Sequence, residues 1–81
     1  MIPKDSIEEA YCFFHQKWNV YARSSSETQK DDIEYAIGMY ANGMNRELYA
    51  KISEGKDGFL LEHSSFSDDL QQAVGRLELL L

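Results

Sequence analysis

The chain is poor in cysteine, in clustered positive charge and in long apolar runs, and each scarcity removes a class of protein. Cys12 is the only cysteine, so no disulfide can form within the chain. A lone thiol suits a reducing compartment, and a cytoplasmic location is expected. No apolar run approaches the roughly 20 residues that a membrane span needs, so no membrane partner is expected. The opening Met-Ile-Pro-Lys-Asp runs into acidic residues without an apolar h-region, which argues against a secretory signal. Lys and Arg number 8 against 14 Asp and Glu, for a net charge of −6. Phosphate backbones need clusters of Lys and Arg, and with none in the chain nucleic acid is not an expected partner. Gly55 and Gly58 lack the strand–loop–helix setting and the lysine-serine pair of a P-loop.

What is present is helical periodicity in a chain of 81 residues, a length that bounds one domain, 1–81. A domain this small buries only about 60% of the surface its unfolded chain exposes, so its stability margin is thin. Ser6 and Glu9 are spaced as a capping box, and Ile7, Tyr11, Phe14, Trp18 and Tyr21 follow at helical spacing, predicting a helix over 6–23. Ser24 to Thr28 interrupts the pattern, with Ser26 and Gln29 offering the next cap. From there Ile33, Ile37, Tyr40, Met44 and Leu48 form one in-phase stripe, which predicts a second helix over 27–52.

Asn42-Gly43 sits in the middle of that stripe and admits two readings. One continuous helix tolerates the glycine at a cost of about 1 kcal/mol against alanine. In the rival, Gly43 ends one helix and Asn45 caps another. The unbroken phase from Tyr40 to Leu48 favours the continuous helix. Gly55 reads as a C-terminal cap for it. Phe59-Leu60-Leu61 is too short for periodicity to separate strand from helix, though a short helical turn at 58–63 is expected. A last helix is expected over 67–80, after a break at Ser64, Ser65 and Ser67. With no second strand in view, the fold class is all-α, an up-down-up three-helix bundle.

Chemistry-bearing residues are few. Glu8, Cys12, His15 and Asn19 share one helical line, but a structural zinc site needs four ligands and the second helix offers no His or Cys. Cys12 lies mid-helix, away from the terminus that would lower a thiol pKa, and has no evident base-and-orienter pair. Glu8-Glu9, Asp31-Asp32 and Asp68-Asp69 each lie near an expected helix start, where acidic residues are stabilising without any catalytic role. His63 falls on the core-facing register of 59–70. A buried histidine there would destabilise the domain on protonation.

No catalytic residue, metal, cofactor or small-molecule substrate is therefore expected, and the protein is read as non-enzymatic. The stronger signal lies on the backs of the helices. Phe13 and Val20 sit off the first core stripe; Tyr35, Met39 and Tyr49 lie opposite the second, beside Arg46. Tyrosine, methionine and arginine are enriched in interfaces. The commonplace explanation is that every small protein exposes some apolar surface. The expected function is contact with a protein partner, either itself as a homodimer or another protein. The alternative is an acidic inhibitor, of the immunity type, that masks a basic toxin or nuclease. It rests on the six acids against two cations in residues 53–81.

Overall fold

The computed structural model describes residues 2–81, and among these there is helix and no strand. Four helices follow one another: α1 (Lys4–Arg23), α2 (Glu27–Gly43), α3 (Arg46–Ser53) and α4 (Phe66–Leu80), with a 3-10 turn at His63–Ser65 leading into α4. The all-α class holds, but the expected three-helix bundle is corrected to four helices. The helix expected over 27–52 is two, because the backbone turns at Met44 and Asn45.

Local chemistry explains the break. Met44 is extended, at φ −78° and ψ 168°, and the Asn45 side chain accepts a hydrogen bond from the Leu48 amide at 3.0 Å. An asparagine cap satisfies one of the amides that a helix start leaves orphaned. Gly43 keeps an ordinary helical φ, so α2 ends because α3 has its own cap, not through a left-handed glycine. The in-phase stripe misled because the turn happens to return Leu48 to the core.

Of the first two helix starts, one differs from expectation and one agrees with it. α1 begins at Lys4 with Pro3 in the cap position and no side-chain cap, so Ser6 lies inside the first turn and the expected capping box is not used. Proline suits a helix start, since its missing amide would have been orphaned anyway. α2 begins as expected: Ser26 Oγ accepts from the Gln29 amide at 3.2 Å.

Each helix contributes one stripe to a single cluster of buried side chains. The cluster takes Ile7, Ala10 and Phe14 from α1, Ile33, Ile37 and Ala41 from α2, and Leu48 and Ile52 from α3. Phe66, Leu70, Ala73, Val74 and Leu77 of α4 join it, and Phe59 and Leu60 from the segment before α4 complete it. α4 lies against both α1 and α3, while α2 packs on α1. Of the aromatic residues expected in the α1 stripe, Phe14 is fully buried, while Tyr11, Trp18 and Tyr21 sit half-buried at its margins. Tyr21 meets Phe66 edge-on with ring centroids 5.3 Å apart, and Phe13 stacks on Tyr40 at 4.6 Å. That placement leaves the tyrosine hydroxyls at the solvent edge.

The segment between α3 and α4 is neither strand nor the helical turn expected at 58–63. It is a run of tight turns in which Glu54, Gly55, Gly58 and Leu60 all have positive φ. Gly58 suits its place: φ is +71°, which L side chains disfavour, and a Cβ there would lie 2.8 Å from Glu62 Oε1. Leu60, at φ +65°, is a branched residue in a conformation that disfavours it, yet its side chain is buried. What holds it is Asp69, whose Oδ2 accepts from the Leu60 amide at 3.0 Å and from Ser65 Oγ at 3.2 Å. The other carboxylate oxygen of Asp69 receives Lys56 Nζ at 2.6 Å. Arg76 fastens the start of the segment, donating to the Ile52 carbonyl and pairing with Glu54 at 3.1 Å.

Candidate interaction surface

With Ile33, Ile37 and Ala41 turned inward, the 3.6-residue repeat puts Tyr35 and Met39 on the outer face of α2. Their exposure is 71% and 59%, high for large apolar side chains. Met39 lines two clefts, so it stands as a ridge between them. One cleft, of about 240 Å³, runs between α2 and the 58–63 turns past Gly38, Leu61 and Phe66. The other, of about 320 Å³, lies toward the N-terminal part of α1 and is bordered by Tyr40, Gly43, Met44 and Leu48. Leu61, half exposed, rims the first cleft. Its place depends on the turn geometry around Leu60, so helical periodicity could not have found it.

The six residues singled out in the sequence do not form one surface. Tyr35 and Met39 are brought together, one helical turn apart, and Arg46 is exposed at the start of α3 beyond the α2 end. Val20 is exposed in a separate cleft between α1 and α2, beside Lys17, Gln29 and Asp32. Phe13 and Tyr49 are half-buried and engaged by neighbours within the fold. Phe13 is sandwiched between Tyr40 and the Lys17 ammonium, which lies 5.5 Å from its ring centroid. Tyr49 donates its hydroxyl to the Phe59 carbonyl at 2.7 Å. Burial, more than the nearby Asp69 charge, raises the Tyr49 pKa and keeps that donor protonated.

Charge around the α2 face is uneven. Asp31 and Asp32 are exposed in the N-terminal half of α2, and neither has an ion pair among the described residues. The same holds for Arg46 at the other end. Glu34 does have a partner. His63 Nδ1 lies 2.9 Å from both of its carboxylate oxygens, tying the 3-10 turn to α2 across the first cleft. His63 is thus exposed and not the core histidine the register suggested.

That placement reverses the expected pH response. The hydrogen bond to Glu34, then the Glu34 charge, raise the His63 pKa above its ordinary 6.5, with Asp31 and Glu27 adding smaller pulls. A raised folded-state value means the pair stabilises fully below the unfolded value of 6.5 and is lost as pH rises through the folded one. Thermal unfolding at low salt is expected to show His63→Gln losing stability relative to wild type below the ordinary histidine value, with the difference closing as pH rises through the raised folded-state value. Because the ring is exposed, added salt shrinks the difference. A wild-type advantage that grew with pH would overturn the assignment.

The remaining chemistry-bearing residues do not converge. Cys12 is exposed. His15 stacks on Tyr11 at 5.4 Å and lies 3.5 Å from Asn19, so the line with Glu8 forms no ligand set. Among the described residues, no three His, Cys, Asp or Glu are grouped to hold a metal ion, and no helix is long and apolar enough to cross a membrane. Of the three carboxylate pairs, Asp68-Asp69 is split, Asp68 outward and Asp69 fully buried. Leu79 and Leu81 also face outward, beyond a Leu77 that is fully buried. Comparison with known protein families, with curated proteins and with solved structures returns no match, so the surface rests on its geometry alone.

Proposed function

We propose that the protein is a non-enzymatic cytoplasmic helical module that works by contact with a protein partner through the outer face of α2. The observation that carries this reading is the Tyr35–Met39 ridge, two large exposed side chains that share one cleft, with a second cleft on the other side of Met39. Anchors of this kind beside a recess are where binding energy concentrates in protein interfaces. Scattered apolar exposure needs no explanation, whereas a ridge with fitted recesses is an organised surface.

The test is a photo-crosslinking residue at Tyr35, with one at the exposed Gln71 of α4 as control, in the cells that make the protein. Adducts from position 35 and none from 71 support the reading. Absence of any protein adduct at position 35 overturns it. The adduct mass separates a second copy from a different protein.

The acidic inhibitor is the second reading, motivated by the charge of −6. Two of the six acids that suggested it are used inside the fold, Asp69 with Lys56 and Glu54 with Arg76, which weakens the motive. A basic partner held by the remaining acids would dissociate as salt is raised. An apolar ridge contact would survive.

A further inference from the structure

An aspartate or asparagine followed by glycine can close on itself, because glycine has no Cβ to hinder its amide nitrogen as it approaches the preceding side-chain carbon. The chain holds such pairs at Asn42-Gly43 and Asp57-Gly58. We infer that the fold protects the first and leaves the second, in the turns between α3 and α4, as a site of self-modification that converts Asp57 to isoaspartate.

The two pairs differ in what their glycine amides are doing. Asn42 and Gly43 both belong to α2, and a helical amide donates to the carbonyl four residues back, which withholds it as a nucleophile. Ala41 is buried beside them and Met44 packs against the core, so that end of the helix is held. At Asp57-Gly58 neither constraint exists. The Gly58 amide has no hydrogen-bond acceptor among the described residues, although the Gly58 carbonyl accepts from the Leu61 amide at 2.8 Å. Asp57 is exposed, and its carboxylate has no ion pair among the described residues.

The Gly58 nitrogen attacks Cγ of the protonated Asp57 carboxyl. A new N–Cγ bond replaces a Cγ–O bond, and the hydroxyl leaves as water with the amide proton. Water then opens the cyclic imide. Addition at Cγ restores aspartate; addition at the main-chain carbonyl leaves the chain running through Cγ, as isoaspartate. Water is the sole co-reactant, nothing is oxidised, and the net mass is unchanged. The rearrangement adds one carbon to the main chain between Lys56 and Leu60, which Asp69 fixes through its two separate oxygens. The lesion therefore pulls that anchor out of register.

The test incubates the folded chain at physiological pH and temperature, then maps its peptides by chromatography and fragmentation mass spectrometry. Isoaspartate is expected at position 57 in wild type. None is expected in Asp57→Glu, whose longer side chain closes a larger and far slower ring. Asp57→Asn sets the same chemistry at both sites, each now losing ammonia. In that folded variant position 57 should react at least about tenfold faster than position 42, which reacts only through local opening of α2. In urea the two rates should converge. The fraction carrying isoaspartate should melt below the unmodified fraction. Equal rates at the two positions of folded Asp57→Asn overturn the proposal. So does a folded wild type free of isoaspartate at position 57 once the urea-unfolded chain has formed it there. An isoaspartate fraction with unchanged melting overturns the step through Asp69.

Discussion

Replacing Asp69 with alanine is expected to lower the unfolding free energy by about 3–5 kcal/mol, the scale seen when one partner of a buried, hydrogen-bonded charge pair is removed. The carboxylate is fully buried and serves three donors at once: Lys56 Nζ, the Leu60 amide and Ser65 Oγ. Lys56 is 42% exposed and can return to water. The Leu60 amide cannot, because the residue is buried in the left-handed turn that the bond holds. Most of the loss therefore comes from an orphaned backbone donor, not from the ion pair. Two comparisons separate these causes in urea unfolding. Lys56→Met should cost clearly less than Asp69→Ala. Asp69→Asn should cost nearly as much, since an amide would set a donor against Lys56 or Leu60. Equal losses for Lys56→Met and Asp69→Ala would show that the ion pair dominates.

The other large effect lies in the apolar core itself. Phe14→Ala is expected to cost about 3–5 kcal/mol, from lost burial plus the cavity left behind. Phe14 is fully buried on α1 and meets Tyr40 of α2 edge-on, with centroids 5.3 Å apart. A domain of this length has a total stability of about 4–12 kcal/mol at ordinary values per residue, so either substitution removes a large share of it. Phe14→Leu keeps most of the volume and should cost under about 1.5 kcal/mol. Its neighbour Phe13, half-buried against Tyr40 and Lys17, should lose less than Phe14 on truncation to alanine, as read from denaturant midpoints. Equal costs at Phe13 and Phe14 would mean that the helix face has been assigned wrongly.

Much of the helical content was legible because it is written at short range. Ile33, Ile37 and Ala41, or Phe66, Leu70, Ala73 and Leu77, recur at intervals that a helix alone brings to one side. The Ser26 cap is equally local, a hydroxyl three residues from the amide it satisfies. The Asn45 cap is no less local and was one of two readings. Choosing between them required knowing whether the chain beyond Gly43 packs as its own helix, and α3 packs against α4. Of the candidate surface, Tyr35 and Met39 could be read as outward from the period of α2. The recess that makes them more than stray exposure is built partly by Leu61 and Phe66, which are distant in sequence.

By itself, then, the order of residues determined the all-helical class, part of the core stripe of each helix (Ile7 and Phe14, Ile33 and Ile37, Leu48, and Phe66 to Leu77) and the outward direction of Tyr35 and Met39. Each of these depends on contacts three or four residues apart. Tertiary structure alone decided the roles of Asp69, His63, Phe13 and Tyr49. Asp69 looked like one more acid at a helix start and became the anchor of a strained turn. His63 looked like a core residue and became an exposed partner of Glu34. Phe13 and Tyr49 looked free and were covered. In every case the deciding neighbour is a long step away along the chain or on another helix, and a side chain's charge environment and burial are set by which elements close around it.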